Sequence, residues 1–137
     1  MKTSRFVITG ARDTIPPKAK VIQVLKWADD LAGGLAELTH GCAQNVDAFV
    51  SHVAEDELGW GIHYAEAQWD EHGKVAGPLR NRFMLEGKCD CHPEQITEVR
   101  MVLAFHDDLS RSKGTLDCIT QAGQMRIPVL YWGYEPS

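Results

Sequence analysis

The chain has 137 residues and a mass of 15.3 kDa, which favours a single domain large enough to bury a hydrophobic core. Its 44% hydrophobic and 24% charged residues are typical of a globular protein and exclude collagen-like and low-complexity classes. The formal net charge of −5 argues against a surface built for non-specific nucleic-acid binding, but it is compatible with a small cationic pocket.

Predicted strands and helices alternate along the whole chain. Runs of β-branched and apolar residues predict strands, and apolar residues at helical spacing predict helices. In chain order these elements are a strand at 5–9, a helix at 16–32, a strand at 35–39, a helix at 46–58, a strand at 60–65, a helix at 78–86, a strand at 98–105, a helix at 115–123 and a strand at 127–132.

The first helix has the clearest start and stop signals. Thr14 is predicted to cap it, Pro16 and Pro17 fall in its first turn, and glycines at 33–34 end it. Its predicted apolar face is formed by Val21, Val24, Leu25, Ala28, Leu31 and Ala32. The segments 66–76 and 87–97 have no period and are predicted to be loops.

This alternation predicts an α/β fold. Strands that alternate with helices form a mostly parallel sheet covered on both faces, here with five strands. Right-handed crossovers then give a Rossmann-like, doubly wound architecture. We find no internal repeat or linker, so residues 1–137 are expected to form one domain.

The compartment is predicted from what the sequence lacks. No apolar run approaches the ~20 residues that span a bilayer. Residues 1–10 do not have the pattern of a secretory signal. We therefore expect a cytoplasmic protein whose four cysteines are reduced thiols.

The turns that follow the strands are the candidate ligand site, because ligands bind beyond the carboxyl ends of parallel strands. Three of these turns lead into helix N-termini, whose unpaired N–H groups suit phosphate. Arg80 and Arg82 can add guanidinium donors, although helical geometry turns Arg82 roughly 200° away from Arg80. The absence of acidic residues from 72 to 85 favours a discrete anionic ligand over a polymer.

Four of these segments resemble motifs of the SLOG superfamily, specifically its small YspA-like branch. They are Gly10-Ala11-Arg12-Asp13, the His40-Gly41 turn that leads to Asp47, the long motif from Trp69 to Met84, and Gly114-Thr115. The long motif has the pattern Trp-x-x-x-Gly-Lys-x-Ala-Gly-Pro-x-Arg-Asn-x-x-Met and is the most specific of the four. The resemblance extends over about residues 5–131.

The resemblance implies a Rossmann-like fold that binds a nucleotide or a nucleotide-derived small molecule. Related branches include the Lonely Guy phosphoribohydrolases and the DNA-processing protein DprA. With Asp13 and Lys74 from the same motifs included, the implied ligand contacts are Gly10, Arg12, Asp13, Gly41, Asp47, Lys74, Arg80, Asn81, Gly114 and Thr115.

The sequence departs from the family pattern in two turns. Cys42 and Asn45 stand where the second turn usually has glycines. The hydrolase branch has a glutamate three positions after its threonine, which here falls on Cys118, with Asp117 one position short. If the protein is an enzyme, the resemblance leaves Asp47 or Asp117 as the acid or base.

Several candidate residues also have purely structural interpretations. Arg12 contacts phosphate or pairs with Asp13, and Asp47 binds ribose or stabilises its helix dipole. Thr115 is a ligand contact or an N-cap, and Trp69 stacks on a base or packs at the rim. The residues 110–113 form either a lid over phosphate or a solvated loop.

The Cys89-Asp90-Cys91-His92 segment raises the possibility of zinc. Structural zinc takes four ligands, usually with wider cysteine spacing, and the fourth ligand would have to come from elsewhere in the chain. We therefore predict a reduced, partly exposed loop and neither a metal nor another cofactor.

The function predicted from these residues is ligand binding, as a sensor or a sequestering protein. The alternative is a nucleotide-processing enzyme of the phosphoribohydrolase kind. A single-stranded nucleic-acid binder like DprA is the third possibility, and the net charge argues against it. No membrane partner is expected, and self-association into a homo-oligomer is.

Overall fold

Five strands form one sheet in the computed structural model, which describes residues 3–136. The strands are β1 (Ser4–Gly10), β2 (Ala36–His40), β3 (Gly61–Tyr64), β4 (Val99–His106) and β5 (Val129–Gly133). The helices are α1 (Lys18–Leu31), α2 (Val46–Leu58), α3 (Trp69–His72), α4 (Ala76–Leu85) and α5 (Gly114–Gln124). Met1, Lys2 and Ser137 of the predicted domain lie outside the described residues.

The strand order is β3-β2-β1-β4-β5, and every neighbouring pair is parallel. This arrangement confirms the predicted Rossmann-like α/β fold. The chain leaves β1 towards β2 on one side, whereas β4 lies on the other side, so the strand order reverses between β1 and β4. At this position Gly10 of β1 is in register with Phe105 of β4. A crevice is expected beyond these two strand ends.

The core has two layers, one on each face of the sheet. Alternate residues of β1 point to opposite faces, so Phe6 and Ile8 belong to one layer and Val7 to the other. The first layer packs against α1 and α2, through residues such as Leu25 and Val50. The second packs against α4 and α5 and includes Met84, Val102 and Cys118. Both faces are therefore covered, as a doubly wound sheet requires.

The predicted start of the first helix is wrong. Helix α1 begins at Lys18, and Pro17 precedes it with an extended ψ of 131°. A residue before proline is driven out of the helical region, so Pro16 cannot open the helix in front of Pro17. The Thr14 hydroxyl makes no cap and instead bonds Asp107 Oδ1 (3.0 Å) and Tyr134 Oη (2.7 Å).

Two other expectations need correction. Leu31, which is predicted on the apolar face of α1, is 41% exposed, because helical spacing puts it at the edge of that face while Ala32 still packs against the core. The predicted loop at 66–76 contains the short helix α3 and a 3₁₀ turn at Gly73–Val75. Helix α4 then begins two residues before Pro78, which the first turn tolerates because its N–H groups have no helical partner.

Among the described residues 3–136, no helix combines the length and the apolar character needed to cross a bilayer.

Candidate functional site

A cleft of about 880 Å³ opens at the carboxyl ends of β1 and β4. Eight of the ten predicted ligand residues line it: Gly10, Arg12, Asp13, Asp47, Lys74, Arg80, Gly114 and Thr115. They come from four separate segments of the chain, which the fold brings to the edge where parallel α/β sheets bind ligands.

Gly41 and Asn81 do not line the cleft, and both instead contact Arg80. Arg80 Nη1 donates a hydrogen bond to Gly41 O, and Arg80 Nε donates to Asn81 Oδ1 at 3.0 Å. A Cβ atom on Gly41 would lie 2.6 Å from Arg80 Cζ, so only glycine lets the guanidinium lie against this turn. Both residues therefore hold Arg80 in the orientation in which it reaches the cleft.

Asn81 also joins two helices beneath the cleft. It is 2% exposed, and its Nδ2 donates to Gly114 O (3.3 Å) and to Asp117 Oδ2 (2.9 Å). With Arg80 Nε bonded to its Oδ1, this one amide fixes α4 relative to the start of α5. A direct ligand contact at Asn81 stays a prediction.

Asp47 is a buried carboxyl group at the N-terminus of α2. Its Oδ2 accepts hydrogen bonds from Gly41 N (2.9 Å) and Ala43 N (3.3 Å). Burial raises the pKa of Asp47 to about 6, against the opposing effect of those N–H groups. This carboxyl group therefore changes its protonation near neutral pH, and it does so in the wall of the cleft.

The charges around the cleft are predominantly positive. Its cationic lining residues are Arg12, Lys74, Arg80, Arg111 and Lys113, and its acidic ones are Asp13, Asp47 and Asp117. A chain with a net charge of −5 thus has an excess of cations at this one edge. Such a concave cationic site concentrates anions.

Arg111 is already engaged within the protein. It contacts Asp13 (3.2 Å), Asp107 (2.6 Å) and Asp108 (3.4 Å), and so ties the turn after β1 to the turn after β4. The segment that contains it forms a 3₁₀ turn at Leu109–Arg111. Arg111 therefore links two walls of the cleft through exposed ion pairs, and the role of residues 110–113 as a lid over phosphate stays a prediction.

Arg12 and Trp69 form a pair at the rim. The guanidinium of Arg12 lies 5.9 Å from the centre of the Trp69 ring, within the range of a cation–π contact. Trp69 is 50% exposed, so it is a rim residue and not a core residue. Arg82 points elsewhere and pairs with Glu86 at 3.5 Å.

The start of α5 is capped by a residue that the sequence analysis did not single out for that role. Thr115 N donates to Ser112 Oγ at 2.9 Å, so Ser112 makes the cap that was considered for Thr115. The Thr115 side chain is buried and lies 3.4 Å from Thr9 Oγ1. Gly114, beside it, is exposed, and a Cβ atom there would meet nothing within 4 Å.

The turn after β2 has the backbone angles of a glycine-rich turn, although other residues stand where the family usually has glycines. Cys42 and Asn45 have φ values of 61° and 62°, in the left-handed region that favours glycine. Asn45 Nδ2 donates to Arg12 O, and Val46 N donates to Ala11 O at 3.2 Å. These bonds join the first two turns, so the strained conformation is held by its surroundings.

His106 is a cleft residue that the sequence analysis does not single out. It ends β4, is 5% exposed and lines the cleft. Its Nδ1 accepts a hydrogen bond from Asp108 N at 2.9 Å, which leaves the proton on Nε2. The signal that could have found it was its position as the last residue of a strand beside the switch point.

The position that matches the hydrolase glutamate holds a buried thiol. Cys118 is 0% exposed, and burial raises its pKa to about 12. A neutral thiol in the core cannot act as the acid or base of a hydrolase. Asp117 does line the cleft, but its Oδ2 accepts from Asn81 and from Gln121 Nε2 (2.8 Å).

Sequence similarity relates this chain to a bacteriophage protein. No protein-family model matches the chain. The chain is similar to the Gene 61 protein of Mycobacterium phage D29, with 32% identity over 108 residues that cover 72% of this chain and 73% of the phage protein.

Proposed function

We propose that this chain, which belongs to the family of the mycobacteriophage Gene 61 protein, binds a nucleotide or a nucleotide-derived small molecule in the cleft. The observation that supports this most directly is the charge of the cleft. Five cationic side chains from separate segments line it against three acidic ones, and Arg12, Lys74, Arg80 and Lys113 are the cations that form no ion pair among residues 3–136. The cleft volume of about 880 Å³ also lies within the usual range for small-molecule sites.

In this proposal the phosphate lies against the start of α5. Gly114 offers an open approach to the backbone, and Lys113 and Arg80 supply positive charge beside it. Amide groups in the first turn of a helix favour anions, and guanidinium groups bind phosphate through paired hydrogen bonds.

The remaining groups suit the other parts of a nucleotide. Asp47 accepts a hydrogen bond from a ribose hydroxyl through Oδ1, which has no hydrogen-bond partner among residues 3–136. Trp69 at the rim offers an aromatic surface on which a base can stack. The SLOG resemblance supports the same assignment, and with it we propose a cytoplasmic, self-associating sensor or sequestering protein.

Lys113 provides a direct test. We expect native mass spectrometry of the purified chain, or a thermal-shift panel of nucleotides, to identify a ligand. Because the exposed side chain of Lys113 makes no hydrogen bond or ion pair with the described residues 3–136, Lys113→Ala weakens binding of that ligand about tenfold without loss of fold. Lys26→Ala, which removes an exposed cation of α1 outside the cleft, is the matched control. A panel with no ligand, or equal losses in the two variants, contradicts the proposal.

A phosphoribohydrolase activity is the second candidate, since its two candidate carboxyl groups, Asp47 and Asp117, line the same cleft. Asp47, with a pKa raised to about 6 by burial, suits a general acid, and Asp117 lies on the opposing helix. Incubation with nucleoside monophosphates then yields free base, and Asp117→Asn stops the reaction while the nucleotide still binds. If the nucleotides are recovered intact, the protein binds them without cleavage.

The third candidate function, single-stranded nucleic-acid binding, is distinguished by its salt dependence. Single-stranded nucleic-acid binding weakens steeply as salt concentration rises. Protein binding releases counterions from the phosphates, and a high salt concentration opposes that release. Binding of a small nucleotide with a shallow salt dependence removes this candidate.

A further inference from the structure

Four potential metal ligands meet on the face of the sheet that packs against α4 and α5. They are His63 from β3 and Cys89, Cys91 and His92 from the loop between α4 and β4. One ligand atom from each of the four lies within 4.8 Å of the others. None of these residues lines the cleft, so the cluster is a separate feature of the molecule.

The distances within the cluster match the edges of a small tetrahedron. Cys89 Sγ and Cys91 Sγ are 3.3 Å apart, and His63 Nδ1 lies 3.3 Å from Cys91 Sγ and 3.7 Å from Cys89 Sγ. Tetrahedral zinc with ordinary bond lengths places two sulfurs about 3.8 Å apart and a sulfur and a nitrogen about 3.6 Å apart. For these three atoms, shifts of about half an ångström or less reach that geometry, and the ligand atom of His92 closes in from within 4.8 Å of them.

The orientation of His63 is fixed from its other side. His63 Nε2 lies 3.1 Å from Glu37 Oε2, so the proton sits on Nε2 and the lone pair of Nδ1 faces the two thiols. Glu37 is held in turn by Arg5, whose Nε and Nη2 donate to Oε1 at 2.9 and 2.8 Å. A carboxylate behind a histidine is the usual outer shell of a zinc ligand.

We propose that His63, Cys89, Cys91 and His92 bind one zinc ion in a closed, structural Cys₂His₂ site. Binding converts both thiols to thiolates and releases their two protons, so the ion and its ligands are together neutral. The expectation that the chain binds no metal rested on the missing fourth ligand. His63, 26 residues before Cys89, supplies that ligand.

In this fold the proposed zinc site would attach the loop at 89–98 to the sheet. Residues 89–98 form no helix or strand, and besides the cluster the loop is attached to the edge strand mainly by Asp90 N, which donates to Tyr64 O at 2.8 Å. A metal that joins three loop residues to β3 fastens this loop to the sheet. His92 is exposed, which gives the ion a path of entry.

Cobalt substitution tests the geometry directly. The full chain, reduced and stripped with a chelator, is titrated with Co²⁺, and we expect one equivalent to produce the intense visible bands of a tetrahedral cobalt–thiolate site. Zinc then displaces the cobalt and raises the Tm of the chain. His92→Ala alters only an exposed ligand, so it keeps the fold and weakens binding at least tenfold.

Cys42→Ser is the matched control, because Cys42 is an exposed thiol outside the cluster. It keeps the cobalt spectrum, whereas Cys91→Ser loses it. The proposal is overturned if the wild type gives only the weak spectrum of octahedral cobalt, if Cys42→Ser and Cys91→Ser bind alike, or if zinc leaves the Tm unchanged.

Glu37→Gln tests the outer shell. This change removes the carboxylate that orients His63, and such changes lower metal affinity by about 10- to 100-fold. The measurement is zinc affinity by competition with a chelating dye, with the Tm of the metal-free variant recorded beside it. Unchanged zinc affinity in a folded variant shows that Glu37 does not position the ligand.

Discussion

The floor and the rim of the cleft are built in different ways from the same sequence motifs. We define the floor as Gly10, Asp47 and Thr115, and the rim as the exposed residues Arg12, Lys74, Lys113 and Gly114. Floor residues contact other parts of the protein at close range, as the hydrogen bonds from Gly41 N and Ala43 N to Asp47 illustrate. Rim residues face solvent.

This difference separates motif residues that pack within the protein from those that face solvent, and Asp47 alone of the floor residues keeps a side-chain oxygen without a partner among residues 3–136. Gly10 and Gly114 make the contrast clearest. A Cβ atom on Gly10 would overlap Phe105 O and lie 2.8 Å from Val46 Cβ, whereas a Cβ atom on Gly114 would meet nothing within 4 Å. Substitutions on the floor should therefore change stability, and substitutions on the rim should change binding.

The largest effect is expected at Gly10. Gly10→Ala forces β1 away from β4 and α2, and overpacking of this kind lowers the free energy of unfolding by about 3 kcal/mol or more. Urea unfolding measures the loss. An alanine variant as stable as the wild type contradicts the account of the floor as tightly packed backbone.

A second floor prediction concerns Asp47 and pH. The folded protein holds this proton more tightly than the unfolded chain does, since burial raises the pKa of Asp47 from 3.8 to about 6. Its contribution to stability is therefore complete at acidic pH and is lost as the pH rises through about 6. Between about pH 4 and pH 7 the loss amounts to roughly 2 kcal/mol.

Asp47→Asn isolates this effect. The amide keeps an oxygen for Gly41 N and Ala43 N but does not ionise, so the variant gains stability relative to the wild type as the pH rises. Unfolding of both proteins at several pH values gives the difference. A difference that does not change with pH shows that Asp47 titrates outside this range.

The fold could be predicted because it depends on local patterns, whereas the ligand residues were predicted through the SLOG resemblance of four short motifs. The strand at 5–9, the helix at 46–58 and the glycine at 59 that ends it all have short-range signals, and the structure confirms them. The parallel order of the strands then places their carboxyl-end turns together. Eight predicted ligand residues consequently line one cleft.

Contacts between distant parts of the chain could not be predicted in this way. Thr14 has the residue type of a helix cap, but its hydroxyl forms hydrogen bonds with Asp107 and Tyr134, which are more than 90 positions away in the chain. The same holds for His63, which meets the Cys89 loop only in the folded chain. No local pattern signals such pairings, because the tertiary fold alone determines them.

On the rim, Gly114→Ala should separate binding from stability. The added methyl group has open space at the first residue of α5, so alanine raises the free energy of unfolding by about 0.5–1 kcal/mol through the lower freedom of the unfolded chain. It occupies the approach to the start of α5, so the proposed phosphate binds about tenfold more weakly, a change of about 1.4 kcal/mol. Calorimetric titration measures the affinity, and unchanged affinity places the phosphate elsewhere.

The smallest effect is expected at Cys42, which lies in the turn between floor and rim. Its φ of 61° costs a side chain about 1–2 kcal/mol, and glycine avoids that cost while losing about 0.5–1 kcal/mol through its greater freedom in the unfolded chain. Cys42→Gly therefore stabilises the protein by about 0.5 kcal/mol in urea unfolding. Cys42→Ala keeps the unfavourable φ and serves as the control, so stabilisation of equal size in both variants would show that loss of the thiol, and not relief of the backbone, is responsible.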